Sequence, residues 1–418
     1  MKALFKRRIY SLFSLILFTV SVNVYSEPLR FKYSTGDKYR ILSTVNESVY
    51  FDGTFNNQSE IINRISVEVT DVKTASEEPD ADIISGTHRA VFVTSEKASI
   101  NGKTEVFSWG EEYESIFDRD IYGFYDIGDE YFMPVVRDVP VFPAESIEKG
   151  DSWQCDGEEA HDMRHVYGIE KPFKIPFTAT YTYKDDTVID GKKLQVITAE
   201  YSIDYKVPDA AVKSANYETE PHAVMGFSHE TIYWDNEAGT IDSYNETFRI
   251  LIETKAGHKI EYRGTARAEY AKSAIKDKAA LIEQMKSRIE QLEIENTLLK
   301  EDTDGITLCL ENIQFKANSA ELLPGEKEKL AKIAGILKDF NANDLLISGH
   351  TARFGTEETC QTLSEQRAAA VAEYLIKLGV KDAYHIFTRG FGSRMPAADN
   401  ITEEGKAKNR RVEITIMD

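Results

Sequence analysis

Period-two alternation of apolar and polar residues dominates residues 27–270. Tyr39–Phe51, Glu60–Val72, Ile83–Thr94, Phe177–Tyr183, Leu194–Val207, His229–Trp234, Ile241–Glu253 and His258–Ala266 are rich in β-branched and aromatic residues and read as strands. Asp190-Gly191 and Asp235–Gly239 carry hairpin-turn chemistry between neighbouring strands. Phe132–Pro143 holds Pro134, Pro140 and Pro143 without a clear period. It is read as a connection between two β-rich subdomains, 27–145 and 146–270. An outer-membrane barrel would alternate apolar-out and polar-in over about ten residues. In Ile241–Glu253 the charges Asp242, Glu246, Arg249 and Glu253 share no single parity, which favours an antiparallel sandwich or half-barrel in water.

The period changes at residue 271. Ile282, Ile289 and Asn296 are seven apart, and Met285, Leu292 and Leu299 repeat at the complementary offset. This a/d seam predicts a helical linker over 271–302, spanning up to about 45 Å at 1.5 Å per residue. Two uses stay open: a homodimeric coiled coil through 275–299, or one amphipathic helix docked on a neighbour. From 303 to 418 strands and helices alternate. Ile306, Leu308 and Leu310 mark a strand, Pro324 opens a helix with Leu330, Ile333, Ile336 and Leu337 on one stripe, and Asp344–Ser348 is an apolar strand. Residues 359–378 have helical spacing closed by Gly379, and Tyr384–Arg389 and Val412–Met417 supply two further strands. The whole reads as multidomain: an antiparallel β-rich front, a helical linker and an α/β module.

Five motifs fall in that module in order: Phe315-Lys-Ala-Asn318-Ser319, Gly349-His350-Thr351-Ala352, Leu363-Ser364-Glu-Gln-Arg367-Ala368, Gly390-Phe391-Gly392 and Asn409-Arg410-Arg411-Val412-Glu413-Ile414. Together they resemble the peptidoglycan-binding OmpA-like C-terminal domain of bacterial envelope proteins. The juxtaposition of a β-rich region with such a module looks like that of spirochaete-type envelope proteins. The resemblance implies a βαβαβαβ fold and a ligand, the diaminopimelate of the stem peptide, that carries carboxylates and an ammonium. It implies that Asn318, Thr351, Arg367 and Arg410 line the site, with Arg367 holding a carboxylate in a bidentate fork. Two positions depart from the pattern. Ala352 stands where the family has an aspartate for the ammonium, and Cys360 replaces an asparagine. Glu357 and Glu358, in the same loop, are candidate substitutes. Arg367 pairing with a nearby glutamate, and Asn409–Arg411 merely leading into the last strand, are the structural alternatives.

Lys2, Lys6, Arg7 and Arg8 precede an apolar stretch from Ile9 to Val24, the layout of a signal peptide over 1–26. Its removal takes the net charge from −20 to −24, which argues against nucleic acid or anionic lipid as partners. Cys309 and Cys360 share the C-terminal module, and their pairing is left open. Cys155, His161 and His165, beside Glu158, Glu159 and Asp162, form the one enzyme-like constellation, with both histidines expected on one helix face. Without HExxH, GxSxG or a glycine-rich phosphate loop, no cofactor or metal is expected. The expectation is a non-enzymatic, exported envelope protein. Its C-terminal module faces peptidoglycan, or serves as a protein-contact scaffold, and its β region binds other envelope proteins.

Overall fold

The computed structural model describes residues 27–78, 81–100, 104–208, 218–272, 278–302, 305–316 and 319–418. The expected signal peptide at 1–26 and Asn318 lie outside them. In the front region the strands are β1 (Lys38–Phe51), β2 (Thr54–Thr74), β3 (Ile83–Ile100), β4 (Thr104–Ser108), β5 (Glu112–Asp120), β6 (Tyr125–Ile127), β7 (Val136–Arg137) and β8 (Ser152–His161). After the short α1 (Arg164–Tyr167) come β9 (Phe173–Ile189), β10 (Lys192–Lys206), β11 (Pro221–Asp235), β12 (Thr240–Thr254) and β13 (Lys259–Lys272).

These strands do not divide at residue 145. One antiparallel sheet runs β7-β8-β9-β10-β11-β12-β13-β1-β2-β3-β5-β6, with β1 hydrogen-bonded to β13 on one side and β2 on the other. The pairing of β1 with β13 satisfies a strand on each side that two separate subdomains would leave as edges. The proline-containing stretch closes the sheet instead of separating two. Phe142 N–H donates to Tyr122 O at 2.8 Å, and Tyr125 N–H donates to the Asp138 carboxylate at 2.7 Å, drawing the two outer strands together. Gly123, at φ +114°, is required there, because a Cβ would lie 2.2 Å from Pro140 O.

The inner face is apolar. Ile175, Phe177, Ala179 and Tyr181 of β9, Ile197, Ala199 and Tyr201 of β10, and Ile232 and Trp234 of β11 share one core with Phe142. Leu29, Phe31 and Tyr33 cross one end of it as a plug, tied by Phe31 N–H to Ile121 O and Lys32 N–H to Gly239 O. The alternate positions Thr178, Glu200, Ser202, Asp204 and Lys206 face out and are exposed. That is the reverse of a transmembrane barrel, where a lysine at mid-bilayer costs about 2–4 kcal/mol.

The C-terminal region comprises α2 (Lys278–Gln291), β14 (Thr297–Asp302), β15 (Gly305–Glu311), α3 (Pro324–Leu337), β16 (Leu345–Gly349), α4 (Glu357–Lys377), β17 (Ile386–Gly390), α5 (Glu403–Asn409) and β18 (Arg411–Met417). The continuous helical linker is corrected here. Glu293 and Asn296 take positive φ (51° and 53°), and Thr297–Asp302 forms a hairpin strand on β15. Asparagine tolerates the left-handed conformation, so Asn296 is a turn residue, not a coiled-coil position. Met285 and Ile289 of α2 are buried in the core of the C-terminal domain itself, so the face assigned to a homodimer is already covered within the chain.

The sheet order here is β14-β15-β18-β16-β17, with α3 and α4 packed on one face through Leu330, Ile333, Ala368, Val371, Ala372 and Leu375. Thr356 caps α4 by accepting from Thr359 N–H, Glu357 and Glu358 lie in its first turn, and Gly379 follows its end at φ +66°. The two regions share a sheet edge. Strand β4, reached from β3 by a hairpin, pairs in parallel with β17 through Phe107↔Phe387 and Ser108↔Thr388. Behind it Ile62, Phe107, Leu346, Phe387 and Met417 form a separate buried cluster. Beside that cluster the fully buried Asp344 accepts from Arg40 Nη1 (2.7 Å) and Arg64 Nε (2.9 Å) of the front region, with His385 Nδ1 at 2.9 Å.

Candidate functional site

The site lies where the loops at the ends of β16, β17 and β18 meet α4, which carries Arg367. Gly349 ends β16 where α4 passes so close that a Cβ would meet Ser364 O at 2.1 Å. Ser364, fully buried, donates to Gln361 O at 2.7 Å and accepts from Gly392 N–H at 2.8 Å. Thr351 N–H donates to Gly392 O at 2.9 Å. The loops after β16 and β17 are thereby pinned together. Asn409, also fully buried, accepts from the N–H groups of Ala397 and Ala398 (2.7 and 2.9 Å) and donates to Ala398 O. It holds the 397–400 loop beside Arg410.

Of the candidate residues, the structure brings Arg367 and Arg410 together. The Arg367 guanidinium lies 4.8 Å from the Phe315 ring centroid and its Nε donates to Ser319 O at 3.4 Å. Burial lowers its pKa, and the nearby charge of Arg410 lowers it further. Among the described residues neither arginine forms an ion pair, although the Glu403 carboxylate, held chiefly by Lys406, also feels the charge of Arg410. The Thr351 hydroxyl is buried with no hydrogen-bond partner. His350 is buried beneath it, stacked on Phe391 at 5.0 Å, and burial lowers its pKa. Burial pushes Glu413 up, but its charged neighbours prevail and hold the carboxyl at about 2. Arg411 Nε, at 2.9 Å, is its hydrogen-bonding partner, since His350 Nε2 stands too far away at 3.6 Å.

Where the family has its aspartate, Ala352 offers only a carbonyl. The Cys360 thiol donates to Phe354 O at 3.2 Å and sits 3.8 Å from Ala352 O. Cys155, Cys309 and Cys360 are all free thiols, and burial raises Cys309 to about 11. Glu357 is engaged with Ser393 (3.0 Å) and Arg394 (3.9 Å). The metal constellation is not assembled: His161 ends β8 beside Glu159 (2.7 Å), whereas His165 lies on α1 with its side chain 80% exposed. The two histidines share no helix because β8 runs through His161. No group of three potential ligands that could hold a metal occurs among the described residues. Ser364 and Asn409 belong to the motifs singled out in the sequence, but their part in pinning loops becomes visible only once the contacts are known.

Residues 314–410 match the OmpA family, and this part of the chain is an OmpA family domain. The chain is 43% identical over 105 residues to the probable lipoprotein YiaD of Escherichia coli (strain K12), covering 25% of this chain and 48% of that protein. It is 44% identical over 104 residues to the peptidoglycan-binding protein ArfA of Mycobacterium tuberculosis (strain ATCC 25618 / H37Rv), covering 25% of this chain and 32% of that protein. Thus the chain spans half or less of either relative. Among solved structures, an outer membrane protein from Borrelia burgdorferi B31 is 43% identical, with 29% of this chain and 97% of that chain covered and a TM-score of 0.25. The protein is multidomain, with a large β-rich N-terminal region and this C-terminal domain.

Proposed function

We propose that this is a non-enzymatic envelope protein, outer-membrane associated or periplasmic, whose C-terminal domain grips the peptidoglycan stem peptide by a carboxylate. The observation that carries the reading is Arg367, a half-buried cation with no ion pair among the described residues and with Arg410 near it, in an OmpA family domain that also holds the unpartnered Thr351 hydroxyl. A carboxylate bound there gains a charge-assisted hydrogen bond worth about 1.5–3 kcal/mol. With Ala352 and Cys360 at the ammonium side, that half of the ligand goes without an anion, so the grip is weaker than a two-sided one. The names of the relatives, a lipoprotein and a peptidoglycan-binding protein, support this location and ligand. The β-rich region is read as the part that meets other envelope proteins.

A second reading is favoured by Ala352 and Cys360 themselves: a scaffold whose OmpA-like domain has given up its ligand. Co-sedimentation of the purified full chain with peptidoglycan sacculi decides between them. On the first reading wild type pellets, Arg367→Ala binds about ten- to a hundredfold more weakly, and Ala352→Asp binds more tightly. Pelleting of Ala352→Asp alone would establish the scaffold reading.

A further inference from the structure

The mouth of the front β region contains a buried cation that forms no ion pair among the described residues. Arg119, on β5, is 6% exposed. Its Nε donates to Gly123 O at 3.1 Å, and Nη2 to Val139 O and Pro140 O, each at 3.3 Å. The guanidinium lies between aromatic faces, 3.9 Å from the Phe31 centroid and 4.6 Å from that of Tyr125. Nη1 takes part in none of these bonds, and no carboxylate forms an ion pair with Arg119. Of the neighbouring acids, Asp120 accepts from the N–H groups of Tyr122, Gly123 and Phe124, and Asp138, whose pKa burial raises against the pull of Tyr125 N–H and the charge of Arg119, accepts from Tyr125 N–H without pairing with the guanidinium.

Arg119 lines a cavity of about 290 Å³ walled by Phe31, Val69 and Ile241 and by the phenols of Tyr33, Tyr39 and Tyr270. Tyr33 OH donates to Asp120 O at 3.2 Å. The rings of Tyr39 and Tyr270 stack at 5.4 Å, and neither hydroxyl has a hydrogen-bond partner among the described residues. The carboxylates at the rim are likewise engaged: Asp242 with Lys192 (2.5 Å), Asp37 with Ser34 N–H, and Asp235 with Ala238 N–H. The interior therefore offers a guanidinium, which can only donate, and two free phenols, against apolar ring faces. A buried cation left unpaired is costly, and an anion that brings its own apolar body relieves that cost. The net charge of −20 does not oppose this strongly, because surface acids beyond a Debye length of about 8–10 Å are screened.

We propose that this cavity binds a small organic carboxylate, its oxygens on Arg119 and the Tyr39 and Tyr270 hydroxyls and its aromatic or short aliphatic body against Phe31, Val69 and Ile241. The volume sits at the low end of the range of about 300–1,000 Å³ for ligand sites, which suits a single ring rather than a full acyl chain. This site is independent of the peptidoglycan reading.

The test is ¹⁹F NMR titration of 4-fluorobenzoate with the full chain, with 4-fluorobenzyl alcohol as the uncharged analogue and inorganic phosphate as competitor. The expected result is saturable broadening of the benzoate, at least about tenfold weaker for the alcohol and undisturbed by millimolar phosphate. Tyr39→Phe/Tyr270→Phe keeps the packing and weakens benzoate binding severalfold. Arg119→Met abolishes it, and because that change also removes three hydrogen bonds from the closing segment, the tyrosine pair serves as the fold-neutral arm. No saturable benzoate binding, equal binding of the alcohol, displacement by phosphate, or an unchanged affinity in the double phenylalanine variant would each overturn the proposal.

Discussion

Several of the residues that organise this protein are polar groups held inside. His88, 1% exposed, stacks on Phe117 (5.2 Å) and edge-on to Tyr33 (4.9 Å), with neither ring nitrogen hydrogen-bonded. Burial, reinforced by the charge of Arg119, pushes its pKa down to about 4. The unfolded chain takes up this proton near pH 6.5, whereas the folded chain resists until about 4. Stability is therefore intact above pH 6.5 and falls by about 3 kcal/mol on acidification through that window. His88→Phe fills the same slot and should remove this part of the pH dependence, read as urea midpoints at pH 7.5 and 4.5; an unchanged pH slope would count against the account. Arg367 was legible in the sequence because its motif carries it. Arg119 and Asp344 were not, since a charge at an alternating strand position such as Arg119, or one just ahead of an apolar strand such as Asp344, looks solvent-facing until its neighbours are known.

At the scale of elements, alternation revealed eight strands of the front region, and the structure extends most of them at one or both ends. The short β4, β6 and β7 gave no pattern, because two to five residues hold too few alternations to register, and the longer β5 and β8 were missed because their inward positions include the polar Ser115, Arg119 and Glu159. The heptads of 271–302 misled for a different reason. A seven-residue spacing of Leu292 and Leu299 is satisfied equally by a helix that ends and a strand that packs its alternate residues, and Asn296 signals a turn as readily as a coiled-coil position. Neighbouring strands also place like charges together. Glu230 on β11 lies opposite Glu246 on β12, facing inward, and burial with mutual repulsion raises the pKa of Glu230; burial raises that of Glu246. The folded state holds protons here that the unfolded state releases, so this pair stabilises most below about pH 4.5 and its contribution is lost as pH rises. Glu230→Gln should therefore raise the thermal midpoint at pH 8 more than at pH 5; a midpoint lowered at pH 8 would refute it.

At the scale of the whole molecule, the two regions meet through a buried ion cluster and a shared sheet edge. Asp344→Ala removes the carboxylate that Arg40 and Arg64 share, while Arg64 keeps its bond to Asp418 O (2.7 Å), and should cost about 3–5 kcal/mol, with the two regions unfolding in separate urea transitions. Replacing the cluster by apolar residues (Arg40→Met, Arg64→Met and Asp344→Leu together) should recover much of that loss. A single cooperative transition of unchanged midpoint in Asp344→Ala would show that β4 alone joins the halves.

The lodging of β4 against β17 also bears on reach. A tether of about 45 Å would let the C-terminal domain search for its ligand while the rest of the protein stayed elsewhere. Phe107 sealed beside Phe387 allows no such excursion. Whatever Arg367 holds is held at a fixed offset from the front region, and tension between them loads the β4–β17 pairing and the Asp344 cluster together, so the protein acts as a bracket, not a leash.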